Sequence, residues 1–116
     1  MTRRTDRVAE ALQELIAGLV LREIKDPRVG LVTITGVKIS PDLRHARVYF
    51  SCLGDEAQRG QSLRGLNSAA GFIRSQVARR LNLRVAPQIG FEFDSSLEQA
   101  ERLSRLLKDT PPRDPE

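Results

Sequence analysis

At the start of the chain Val8, Leu12, Leu15, Ile16, Leu19 and Ile24 recur at helical spacing, with Arg7, Glu10, Gln13, Glu14 and Arg22 between them. That pattern predicts an amphipathic helix over residues 5 to about 25, one face turned to a core and Thr5 or Asp6 as its cap. Pro27 pushes Asp26 out of the α region and Gly30 follows, so the helix has to stop near Asp26. Residues 31–40 are rich in β-branched side chains and alternate, but the apolar phase slips between Val32/Ile34 and Val37/Ile39. Gly36 sits at the slip and predicts a β-bulge. Residues 41–44 carry turn chemistry. Beyond them Ala46, Val48, Phe50 and Cys52 share one face of a second strand while His45, Arg47, Tyr49 and Ser51 share the other, which makes a hairpin.

A polar connection at residues 54–60 leads into a helical stretch marked by Leu63, Leu66, Ala70, Ile73, Val77 and Leu81 and interrupted by Gly71, which predicts two helical pieces meeting at a kink. Pro87 precedes a third strand over residues 88–93, with Ile89, Phe91 and Phe93 on one face. Ser95 with Glu98 matches a capping box, and Leu97, Ala100, Leu103, Leu106 and Leu107 predict a short final helix. The expectation is an α+β fold, a three-stranded sheet covered on one face by helices, with a C-terminal helix added.

The chain's 116 residues suit one domain, expected over residues 1–108, with 109–116 as a flexible tail because that segment holds three prolines and no apolar anchor. Hydrophobic residues make up 40% and charged residues 29%, a balance that folds without help. The net charge of +4 favours an anionic partner: RNA, DNA or an acidic membrane. Only Lys25, Lys38 and Lys108 of the nineteen basic residues are lysines, and arginine is the side chain that grips phosphate bidentately and stacks on bases. Cys52 is the single cysteine, which excludes an internal disulfide and a cysteine-based zinc cluster. Nothing approaches the roughly 18 consecutive apolar residues of a membrane span, and the amino terminus has no apolar signal region, so a cytoplasmic protein is expected.

From Ala57 to Phe91 there is no acidic residue, while Arg59, Arg64, Arg74, Arg79, Arg80 and Arg84 fall inside the segment. The positive field is therefore concentrated there. Arg64, Arg74, Arg79, Arg80 and Arg84 are candidate phosphate contacts, set against the alternative of a solvated helix face. Arg3, Arg4 and Arg7 form a second basic group that could act as a flexible arm or merely as a solubilising terminus. Arg44 and Arg47 lie at the hairpin and on the non-core strand face. Arg28 could reach phosphate, although Asp26, Pro27 and Arg28 read first as structure. His45 has no nucleophile partnered to it, Cys52 reads as a small buried hydrophobe, and neither the Asp55/Glu56 nor the Glu98/Glu101 pair sits in an apolar pocket that would separate the two pKa values. No enzyme, metal site, cofactor or small-molecule substrate is expected.

With these segments in place the chain resembles the ribosome-binding factor A family from about Arg7 to Leu107. The resemblance rests on KDPRVG at residues 25–30, VTITGVKIS followed by PDLRHARVYFS, SAAGFIRSQVARRLNLR, and PQIGFEFDSS. It implies a type II KH-like fold with a kinked pair of helices, in which Ala69 and Gly71 match the family's Ala-X-Gly kink. KH domains that clamp single strands use a GXXG loop between two helices, whereas the segment here is Ser68-Ala69-Ala70-Gly71. The resemblance implies instead a monomeric, non-enzymatic assembly factor that binds small-subunit ribosomal RNA and assists late maturation of the small ribosomal subunit. A generic KH-type nucleic-acid-binding module is the alternative, and the missing GXXG separates the two. A basic face that meets an acidic protein is a further possibility.

Overall fold

A computed structural model describes residues 3–109. The elements are α1 (Arg3–Arg22), β1 (Val32–Ile39), β2 (His45–Cys52), α2 (Glu56–Ser68), α3 (Ala70–Arg80), β3 (Gln88–Phe93) and α4 (Ser96–Asp109). This is the α-β-β-α-α-β order of a type II KH-like domain, followed by one more helix. The expected tail lies outside the described residues except for Asp109, which closes α4.

Helix α1 begins ahead of its expected caps, so Thr5 lies inside it and is buried. After Arg22 the amide of Ile24 reaches back five residues to the Leu19 carbonyl at 3.0 Å, and the chain turns at Asp26 and Val29. Proline at position 27 forbids any continuation of the helical ladder.

Strands β1 and β2 pair antiparallel and β2 pairs parallel with β3, giving the sheet order β1-β2-β3. A parallel pair needs a long crossover, and the α2–α3 unit supplies it. Register slips between Ile34 and Gly36, leaving Thr35 as the extra residue. The bulge has a clear use. Ile34 and Ile39 are an odd number of residues apart and strict alternation would send them to opposite faces, yet both are buried.

The core is a single layer between helices and one sheet face. Leu12, Ile16 and Leu19 of α1, Val48 and Phe50 of β2, Leu66 of α2, and Ile73 and Val77 of α3 are all at most 1% exposed. The ring of Phe50 meets Phe93 edge-on, with centroids 5.8 Å apart. On β2, Ala46, Val48 and Phe50 point inward, as their spacing predicts.

Two further local expectations fail. Residues 54–60 are not all connection: Asp55 caps α2, its carboxylate accepting the Gln58 amide at 2.9 Å while the Gln58 side chain accepts the Asp55 amide at 3.0 Å. The capping box expected at Ser95 and Glu98 does not form. Asp94 Oδ1 accepts the Ser96 amide at 2.9 Å instead, and the Glu98 carboxylate is drawn to Arg59 of α2, whose guanidinium also lies 4.5 Å from the centre of the Phe93 ring. Helix α4 spans 14 residues, with Leu97, Leu103 and Leu107 exposed.

Candidate nucleic-acid interface

The α2–α3 unit is built around a break rather than a bend. Ala69, with φ −87° and ψ −2°, stands between the helices, and its amide is shared among the carbonyls at the end of α2. Gly71 lies inside the first turn of α3 with no positive φ, and a side chain there would meet nothing within 4 Å. The kink pivots on Ala69 and makes no demand on glycine at position 71. Glycine is required at Gly65, where a Cβ would stand 2.6 Å from a Val29 methyl and 3.3 Å from Arg28 Cβ. The loop after α1 is therefore seated directly on α2.

Arg28 belongs to that seat. Its guanidinium donates to both Asp26 oxygens, at 2.6 Å for the shortest contact, and to the Ser68 hydroxyl at 3.0 Å. The Arg28 hydrogen bonds hold the Asp26 carboxyl down at about 2, below its usual 3.8. The structural reading of residues 26–28 thus accounts for this arginine.

Among the other candidates, Arg74 is half-buried and donates to the carbonyls of Pro87 at 3.0 Å and Ala86 at 3.1 Å, tying α3 to the approach of β3. Arg80 reaches Glu23 at 3.3 Å on an exposed surface, a contact worth little in water. Arg64, Arg79 and Arg84 are exposed, with no ion-pair partner among the described residues. Arg79 and Arg80 are neighbours on α3 and point about 100° apart, so the second can engage Glu23 while the first faces solvent. Arg3, Arg4 and Arg7 are helical, not an arm, and exposed. They lie at the opposite end of α1 from Glu23, and a helix of 20 residues is about 30 Å long, so these two basic groups are separate. Arg44 and Arg47 are exposed at the hairpin end of the sheet; Arg47 stands 3.9 Å from Glu92.

What remains are the solvated arginines Arg64 on α2, Arg79 on α3 and Arg84 in the following loop, in a stretch of chain without a carboxylate. Such side chains can neutralise phosphates, since none of them is spent on an ion pair among the described residues. Among the described residues no group of three His, Cys, Asp or Glu side chains is placed to hold a metal, and no helix is long and apolar enough to cross a membrane.

A model of the family described as ribosome-binding factor A matches residues 4–107. The Geobacter metallireducens protein of that name is 49% identical over 109 residues, which cover 94% of this chain and 92% of the relative. A Thermotoga maritima protein solved by NMR superposes with a TM-score of 0.72 at 37% identity, covering 83% of this chain and 92% of its own. The Thermus thermophilus ribosome binding factor A, as fitted into a cryo-EM map of a 30S complex, superposes with a TM-score of 0.62 at 26% identity, covering 75% of this chain and 91% of that one. With the fold, the broken helix pair and a match over nearly the whole chain in agreement, this protein belongs to the ribosome-binding factor A family.

Proposed function

We propose that this protein binds the small ribosomal subunit through its ribosomal RNA and assists late maturation of that subunit, acting in the cytoplasm as a monomeric binding protein without a cofactor. The observation that carries the reading is the set of solvated arginines, Arg64, Arg79 and Arg84, in an acid-free segment of the chain. Family membership adds the ribosome as the RNA's location, since a relative has been fitted in a complex with the 30S particle. The role is recognition by charge and shape. A-form RNA offers phosphates and 2′-hydroxyls across a shallow minor groove, which exposed arginines on a rigid helix pair can meet without reading bases. Arg74 and Arg28 serve that surface indirectly, by fixing α3 and the break.

Sucrose-gradient sedimentation of cell extract tests the reading. The protein is expected with free small subunits and depleted from translating ribosomes. Sedimentation with messenger RNA, or at the top of the gradient at low salt, would overturn it.

A further inference from the structure

The sheet face turned away from the helices carries a groove of about 550 Å³, within the usual range for small-ligand sites. Cross-strand register explains its shape. Lys38, Arg47 and Gly90 stand side by side across β1, β2 and β3, and one step along the strands Gly36, Tyr49 and Glu92 form the next row. Two planar side chains of β2 therefore have a glycine beside them: Arg47 next to Gly90, Tyr49 next to Gly36. A Cβ added at either glycine would meet nothing within 4 Å, so packing does not call for a glycine at these places. A bare strand glycine with open space above it leaves room for a close approach from outside.

The chemistry of the groove, together with Tyr49 in the row just beyond its lining, points to what approaches. Arg47 is exposed and Lys38 places its ammonium 5.7 Å from the centre of the Tyr49 ring. The exposed His45 and Glu92 also line the groove, the Glu92 carboxylate standing 3.9 Å from Arg47 and leaving that exposed guanidinium only loosely paired. An aromatic ring, a guanidinium and an ammonium on an open sheet offer flat stacking surfaces beside phosphate partners, the combination that single-stranded nucleic acid requires. An acidic protein segment would be served by the cations but has no use for two planar groups kept clear by glycines.

We infer that this open sheet face is a second RNA site, which stacks one or two unpaired bases between Tyr49, Arg47 and the bare backbone of Gly90, on the side of the domain opposite the helix-borne arginines. The inference rests on the reading of the protein as an RNA-binding factor and adds a single-stranded target to it. The domain would then hold structured RNA on one side and an unpaired segment on the other.

Tyr49 is the only tyrosine and the chain has no tryptophan, so tyrosine emission reports this face alone. Titration of the intact protein with short oligouridylate should quench the emission saturably. Gly90→Val, whose Cβ enters open space above the strand, should weaken the apparent affinity by about tenfold, the order of loss expected for one stacked base, with the melting temperature held or raised. Absence of quenching, equal quenching in Gly90→Val, or equal quenching by an oligoglutamate peptide would overturn the inference. A protein that sediments with small subunits yet is not quenched loses this site alone. Quenching without subunit binding supports the groove and removes the ribosomal assignment.

Discussion

The guanidinium of Arg28 donates to the hydroxyl of Ser68 across 40 residues of sequence, at 3.0 Å, while its other contacts hold Asp26. This links the turn that ends α1 to the last residue of α2, immediately before the break at Ala69. The break is thereby held from outside the helix pair. Arg28→Ala should lower the melting temperature and Arg28→Lys should restore only part of it, because an ammonium cannot reproduce the fork that spans both Asp26 oxygens and the hydroxyl. Full stability of Arg28→Ala in calorimetry would remove the link from the account.

The same turn makes the α2–α3 glycines unequal. Gly71→Ala should be neutral or stabilise by up to about 1 kcal/mol, since the position is helical and open. Gly65→Ala should destabilise by about 1–3 kcal/mol, because the new methyl collides with Val29, which is braced by the turn. Urea titration of both variants checks the pair, and the reverse order would contradict the seating of the turn on α2.

Acid should loosen this domain through its carboxylates. Asp26 is held at about 2, by Arg28, while Asp42 is lowered by the Ser40 hydroxyl and the Arg44 amide, and Asp94 by the Ser96 and Thr35 hydroxyls and the Ser96 amide. Groups with depressed folded pKa values contribute stability that is fully present above the unfolded value of about 3.9 and disappears as pH falls through the folded value. The urea midpoint should be level near neutrality and fall between about pH 4 and pH 2, with a smaller fall in Asp26→Asn. An identical pH profile in that variant would contradict the assignment.

Arg74 separates structure from binding. Its two hydrogen bonds go to carbonyls of the chain before β3, so Arg74→Ala should cost about 1–3 kcal/mol of stability by leaving those acceptors unmatched. Arg79→Ala should leave stability within about 0.5 kcal/mol and weaken RNA binding instead. Thermal melts paired with RNA titrations distinguish the two.

The strands and their faces were legible because a period of two leaves little choice: Ala46, Val48 and Phe50 could only share a side, and the slip at Gly36 could only be absorbed by a bulge. The start of α2 was hidden because its first turns have few apolar residues, although Asp55 with Gln58 is itself a capping signature. Gly71 drew attention as a helix-breaking residue type, but the residue that needs to be glycine is Gly65, and that need arises from a turn more than thirty positions earlier in the chain. The arginine content of the candidate face was also legible. Which arginines are spent on carbonyls, Asp26 or Glu23 was not, since those partners come together only in the folded chain.

Binding of the purified protein to purified small subunits across a series of salt concentrations tests the central claim most directly. Log K should fall linearly with log salt by about 0.9 for each phosphate contacted, as for duplex DNA. Arg79→Glu combined with Arg84→Glu should reduce both the affinity and the slope while the circular dichroism spectrum stays unchanged. A double variant that binds with the wild-type affinity and slope would show that these arginines do not meet the RNA.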